Sequence, residues 1–336
     1  MASADTVGRV HALLGNEGLR RAIQHVYGRL KRNKALRSVE GWDLAVLDGH
    51  ESHASYRRHC RGCLQRTIHT ADGEQRQFYH RQVTLMLRSE RFHFLLDVEA
   101  QLPGEDEVAA AFRLLERVLQ VYPRAFQLLV ADGLYAQAPF VNFLIAHGKQ
   151  LLLVLKNERR DLYQDVLGLL PLVRPQRGQY RSRNCLWWDV PDLTSWPQVP
   201  VPLRVVRSEE TYAVRRQASG LVSEERAQWM WVTTLSATQA STALVVRLGH
   251  ARWDIENQGF NELVNGWHAD HVYKHHPNAI GAFTLLAFLA YNLFHAFLTR
   301  NVKPQLREGK TESFWAHLIA AQIYAQVGTR ATARSP

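Results

Sequence analysis

The sequence predicts an α/β fold: a mixed sheet flanked by helices and interrupted by a β-rich insertion. Three observations carry that expectation. Apolar strand runs form a meander over residues 42–100. Helices and strands then alternate to about residue 170. Residues 171–235 break the alternation before the chain turns helical again. With 336 residues, 46% hydrophobic and 21% charged, the chain can bury a large core and is not a disordered tail. Three cysteines are too few for a disulfide framework and point to a reducing compartment. The first 21 residues hold an acid, Asp5, and no apolar centre, so a signal peptide is not expected.

Residues 1–40 read as a basic helical segment, with Val7, Val10, Leu13 and Leu14, then Ile23, Val26 and Leu30, at helical spacing. The first part of the core spans 41–170. WDLAVLDGHES (42–52) is a strand run, and Asp48-Gly49 reads as the turn that ends it. Residues 64–70 and 77–87, around the turn signal ADGE, form a hairpin, and 91–100 a further strand. Residues 103–123 are a helix with acids in the first turn and a proline stop. A buried strand (126–136) reaches Asp132. Then come a helix (139–148), a buried strand (149–157) and a helix to about Leu170.

Residues 171–235, rich in Pro and Trp, read as an inserted β subdomain. Residues 236–300 hold two long helical segments, 236–267 and 278–300, and 301–336 form a basic tail. Ala279–Leu298 is 20 residues without a charge, the length of a membrane span. It contains Gly281, Thr284, Asn292 and His295 and has no companion, so a buried core helix is expected and no membrane partner.

The formal net charge of +10 is unevenly placed. Residues 1–40 carry +5, residues 174–183 carry +4 through Arg174, Arg177, Arg181 and Arg183, residues 300–336 carry +4, and the remainder is at −3. Three basic patches around a slightly acidic body fit a polyanionic partner bound with salt-sensitive affinity.

Three acids stand out in that body. Asp48 and Asp132 each follow an apolar strand run, at the sheet edge where open α/β sheets keep their sites. Glu256 shares a helical face with Gly259, Phe260, Leu263 and Trp267 and needs a positive partner there. Arg252, one turn earlier, is one candidate and a metal cluster another. Asp254 lies about 200° around the same helix, so only one of the two acids can face the sheet. Three converging carboxylates suit two Mg²⁺ or Mn²⁺ ions, which activate a nucleophile and stabilise the leaving oxygen of a phosphodiester.

This arrangement resembles the DDE transposases of bacterial insertion sequences, which have a ribonuclease-H-like core. It is most similar to the branch of insertion sequence family four, with strands inserted between the second and third acids. Three blocks carry the resemblance: VLDGHESHASYRRHC (46–60), LLVADGLYA (128–136) and RWDIENQGFNELVNGWHADHVYKHHPNAIGAF (252–283). It implies catalytic, metal-holding Asp48, Asp132 and Glu256, with Mg²⁺ as the physiological ion. Arg252 matches the arginine of that branch's Tyr-x2-Arg-x3-Glu-x6-Lys signature. The tyrosine and lysine positions hold Gly249 and Leu263 instead, with Tyr273, Lys274 and the histidines at 268, 271, 275 and 276 as candidate substitutes. Only 47 residues precede Asp48, room for one or two helices where many relatives carry a separate DNA-binding domain.

The resemblance also implies double-stranded DNA as partner, homodimers assembled on it, and a cytoplasmic, nucleoid-associated protein. Arg174, Arg177, Arg181, Arg183 and Lys274 are candidate DNA contacts. In related enzymes an aromatic side chain of the insertion stacks on a displaced base, which makes Trp187, Trp188 and Trp196 candidates. Rival readings are another nuclease on the same fold and a DNA-binding derivative without turnover. Cys60-x2-Cys63, near His53, His59 and His69, has partial zinc spacing. His268, His271 and His275 offer another weak metal reading. No second cysteine pair follows, so zinc is not expected.

Overall fold

The computed structural model describes residues 3–71, 73–156, 160–216, 220–271 and 273–332. Two helices, α1 (Ala4–Leu13) and α2 (Asn16–Arg32), come first. The meander follows as β1 (Leu44–Ser55), β2 (Leu64–Thr70), β3 (Gly73–Arg88) and β4 (Phe94–Ala100). Next are α3 (Glu107–Val121), β5 (Leu128–Ala131), a 3-10 turn (Gly133–Tyr135), α4 (Ala138–Ala146), β6 (Gln150–Val154) and α5 (Asp161–Leu169). Four more strands follow α5: β7 (Gln176–Tyr180), β8 (Arg183–Leu193), β9 (Leu203–Arg215) and β10 (Val222–Thr233). The chain closes with α6 (Thr242–His250), a π-helix (Ile255–Phe260), α7 (Asn261–Trp267), α8 (Pro277–Asn301), α9 (Pro304–Arg307) and α10 (Glu312–Thr332). Asp72, Asn157 and residues 217–219, placed by the sequence in a turn, a strand end and a polar link, lie outside the described residues, as does Arg334 of the basic tail.

One mixed sheet holds all ten of these strands in the order β2-β3-β1-β5-β6-β10-β9-β8-β7, with β4 added to β3. β1, β5 and β6 are parallel, and β3 and β10 flank them antiparallel. The unbroken apolar runs predicted for the centre follow from burial on both faces. On β5, Leu129 and Ala131 join one core and Leu128 and Val130 the other; on β6, Leu151 and Leu153 oppose Leu152 and Val154 in the same way. Helices α3, α4 and α5 cover the first face and α6 the second. The strands β7 to β10 continue the sheet, since β10 pairs with β6 from Trp231↔Val154 to Thr233↔Leu152.

Three local expectations are corrected. Asp48-Gly49 is not a turn: β1 continues to Ser55 because β3 pairs with it past that point, while its parallel partner β5 stops at Ala131. The segment 236–267 is not one helix. Helix α6 starts at Thr242, where Ser241 caps it by accepting the Leu244 N–H, and the chain then passes through a π-helix before α7. Residues 268–271 and 273–276 are not helical, so His268, His271 and His275 do not share a helix face. His268 caps α7 in the left-handed region and Pro277 opens α8.

Helix α8 is, among the described residues, the one helix long and apolar enough to cross a membrane, and it is a core helix here. It packs against α1, α2 and β4. Asn292, 0% exposed, accepts from Leu95 N–H at 2.9 Å and donates to Leu95 C=O at 2.8 Å, completing the free edge of β4. Replacing Asn292 with Ala leaves both backbone groups buried without partners. The expected loss is about 2–4 kcal/mol, read as a lower urea midpoint at unchanged m-value; an unchanged midpoint would refute the assignment.

Candidate active site

Successive residues of a strand face opposite sides of the sheet, and β1 uses both at one point. Asp48 points toward the chain leading into the π-helix, and Gly49 toward α3. In the parallel register Leu47 sits beside Ala131, so Asp48 and Asp132 are next in line on neighbouring strands. Asp132 leaves β5 and stands at the N-cap position of the 3-10 turn. Glu256 belongs to the π-helix, whose Ile255, Gly259 and Phe260 are buried while the Glu256 side chain is 37% exposed.

Arg252 gathers these groups. Its Nη1 donates to Glu256 Oε1 at 2.8 Å and to Asp48 Oδ2 at 3.2 Å, joining carboxylates 208 positions apart. The arginine is 5% exposed and its guanidinium lies over the Trp253 ring, 4.3 Å from the centroid. Asp132 has its own cation, Lys156, with Nζ 3.0 Å from Oδ1. Lys156 follows β6 at the same sheet edge as the two aspartates.

These environments push the two aspartates apart. Burial raises the Asp48 carboxyl to about 7; Glu256 and Glu107 add to the rise, and Arg252 and the Gly49 N–H oppose it. Burial also acts on Asp132, but Lys156, the Gly133 N–H and Arg252 together hold it below its ordinary value. The field of Arg252 thus reaches all three acids.

Behind Asp48 lies a group the sequence reading missed. Glu107, the first residue of α3, is buried against Gly49, accepts a 2.7 Å hydrogen bond from Tyr135 Oη and pairs with Arg81 at 2.5 Å. A Cβ on Gly49 would lie 2.1 Å from Glu107 Oε2, so the glycine is required by close approach and not by a turn. The only signal for Glu107 was an acid in a first helical turn. Lys156 could have been found as the residue ending the strand next to the one that ends in Asp132.

The structure also accounts for the two positions departing from the signature. Gly249 abuts the buried Trp231 indole, where a Cβ would come within 2.5 Å, so no tyrosine fits there. Leu263 is buried in the main core, where a lysine ammonium would be stranded. Asp254 is buried on the far side of Glu256 and pairs with Arg88.

The remaining candidates separate by exposure. Arg174, Arg177, Arg181 and Lys274 are exposed. Arg183 is committed to Glu210 at 2.8 Å and stacks over Tyr212. Trp187 is buried against Gly178 in the second core, so it packs the sheet and cannot stack on a base in place. Trp188 and Trp196 are half-buried beneath Arg207 and Arg160. In the N-terminal patch, Arg20 pairs with Asp97 and Lys31 with Asp43, which leaves Arg9, Arg21, Arg29, Arg32, Lys34 and Arg37 on the surface.

Residues 20–293 match the family described as the transposase DDE domain. The chain belongs to that family. No curated protein matches it. The match spans Asp48, Asp132, Arg252 and Glu256 and all ten strands of the sheet. Transposase function follows from this membership, with DNA as the substrate class.

The three carboxylates of this transposase domain offer oxygen donors only, the chemistry hard divalent cations take. Two of them already converge on one positive charge, the Arg252 guanidinium, so the donor set fits such ions.

Two stability measurements test the arrangement. Gly49→Ala should cost about 1–3 kcal/mol by overpacking against Glu107; thermal melts equal to wild type would show that Glu107 is free to move away. In the metal-free protein, Asp48 holds its proton more tightly folded than unfolded. Its contribution is therefore complete below about 4 and lost as pH rises through about 7. Asp48→Asn abolishes that dependence, so the variant should gain on wild type between pH 5 and pH 8 in denaturant titrations; a constant difference would refute the raised value.

Proposed function

We propose that the chain is the transposase of a bacterial insertion sequence, of the family-four branch, and that it cuts and joins DNA by the DDE mechanism. The observation that carries this is the bridge from Arg252 to both Asp48 and Glu256, with Asp132 next to Asp48 on the parallel strand. The branch assignment rests on the four antiparallel strands lying between Asp132 and Glu256.

Asp48, Asp132 and Glu256 would hold two Mg²⁺ (or Mn²⁺) ions. When bound, these activate the attacking hydroxyl and stabilise the leaving oxygen. The chain's own residues do the positioning. Arg252 fixes the Glu256 carboxylate and keeps it beside Asp48. Lys156, exposed next to Asp132, is placed to meet a phosphate oxygen. Water attacks the phosphodiester at the element end and displaces the 3′-oxygen as a hydroxyl, leaving a 5′-phosphate. That hydroxyl then attacks a target phosphodiester in line and displaces the target's own 3′-oxygen, with no covalent bond to protein.

The exposed Arg174, Arg177 and Arg181 would meet the DNA backbone. The groove of about 1320 Å³ beside the π-helix carries Arg88, Arg91 and Arg181 but also Glu40, Glu90, Asp254, Glu262 and Glu312, so its charge does not favour a polyanion. Homodimers on DNA and a cytoplasmic location belong to the same proposal.

The test uses duplexes carrying the inverted repeats that flank the gene. Asp48→Ala, Asp132→Ala and Glu256→Ala should each lower Mg²⁺-dependent cleavage by on the order of 10³-fold or more while gel-shift binding persists. Cleavage left intact in Asp48→Ala and Glu256→Ala would sink the mechanism. A gene without flanking inverted repeats would favour another nuclease role.

A further inference from the structure

Four side chains outside the acid site meet at one point. Cys60 and Cys63 lie in the loop between β1 and β2, His80 on β3, and His275 in the link between α7 and α8. Cys60 Sγ is 3.7 Å from Cys63 Sγ and 3.3 Å from His80 Nε2. Cys63 Sγ is 3.4 Å from His80 Nε2 and 3.7 Å from His275 Nδ1. All four ligand atoms lie within 4.8 Å of one another.

We infer that Cys60, Cys63, His80 and His275 form a structural zinc site. A tetrahedral ion with Zn–S of about 2.3 Å and Zn–N of about 2.0–2.1 Å requires ligand-to-ligand edges of roughly 3.4–3.8 Å. Four of the six edges, at 3.3–3.7 Å, match that requirement. The other two, both to His275, lie within 4.8 Å, so the imidazole of His275 moves inward when the ion binds. Two thiols and two imidazoles are the donor set borderline-soft zinc takes, and not one for Mg²⁺. Four protein ligands fill the tetrahedron, which marks a structural and not a catalytic centre.

The surroundings are built for it. Cys63 is buried and His80 is 5% exposed. The Cys60 N–H donates to Cys63 Sγ at 3.2 Å, a bond that favours a thiolate. Gly62 lets the cysteine loop lie on the first turn of α8, since a Cβ there would come within 2.9 Å of Pro277.

The expectation against zinc came from finding no second cysteine pair after Cys60 and Cys63 in the sequence. The fold supplies two histidines instead, 17 and 212 residues beyond Cys63. His53, offered for such a site, instead has its Nδ1 2.7 Å from the Asp270 carbonyl, and His59 stacks on Phe78.

Its role follows from what it joins. The β1–β2 loop leads out of the strand carrying Asp48, and His275 ends the link that follows the helices carrying Glu256. With the His53–Asp270 contact, the ion would pin that link to the sheet. This site is independent of the acid site and of the proposed reaction.

The experiment is metal analysis of the untagged full chain after gel filtration with EDTA, without DNA. About one zinc per chain is expected in wild type and in Asp48→Ala, and less than about 0.2 in Cys63→Ser and His80→Asn. If those buried-site variants fail to fold, Cys60→Ser and His275→Gln at the half-exposed ligands take their place. Wild type exchanged with Co²⁺ should show the intense visible bands and thiolate charge transfer of four-coordinate cobalt. Folded wild type without zinc, with six-coordinate cobalt spectra or with a Cys60–Cys63 disulfide, would overturn the inference. Loss of zinc in Asp48→Ala would overturn its independence from the acid site.

Discussion

The site depends on one buried guanidinium. Asp48 and Glu256 are carboxylates whose charges repel and, for Asp48, whose burial disfavours ionisation. Bringing two such groups together without a cation is unfavourable, and Arg252 supplies one within hydrogen-bonding distance of both. Asp132 is held by a separate cation, Lys156, on a more exposed side chain. The same carboxylates are therefore compensated by protein charge before any ion arrives. Binding of divalent cations would take over the role that Arg252 and Lys156 fill in the folded chain.

The architecture converges on that point. β1 and β5 run parallel and lose their pairing at Leu47 and Ala131, which brings the next residue of each, Asp48 and Asp132, to a shared edge. Gly49 allows α3 to bring Glu107 against the strand from the opposite face. On the Glu256 side, the helix widens to a π-helix, a form found frequently at functional sites. The Gln258 carbonyl in it accepts a hydrogen bond from Tyr291 of α8 at 3.0 Å. Through Tyr291 and Asn292, α8 ties both the π-helix and the β4 edge to one rigid element. The apolar length that imitates a membrane span is what that central position requires.

Strands β7 to β10 show the same economy. They prolong the core sheet through β6 and β10, and the tryptophans concentrated there divide into packing and surface roles. Trp187 and Trp231 fill the second core, and the Trp231 indole occupies the space a side chain at Gly249 would need. The departure from the family-four signature at Gly249 thus has a packing cause.

Much of this was legible in the sequence. Apolar runs and helical periodicity report on neighbours within a few residues, and they gave the strand meander, the α/β alternation and the strands of 171–235, with Arg252 one turn away as one candidate partner for Glu256. The motif blocks carried the acids. Only the tertiary structure decided what depends on distant contacts. Asp48-Gly49 reads as a turn until β3 is seen to pair beyond it, and Trp187 is one of three candidates for base stacking until Gly178 is seen against its ring. Glu107 and Lys156 reach the site from separate elements, and His80 and His275 complete a cysteine pair from opposite ends of the domain. Each is a contact between residues remote in the chain, and no local period encodes which remote residue folding will bring near.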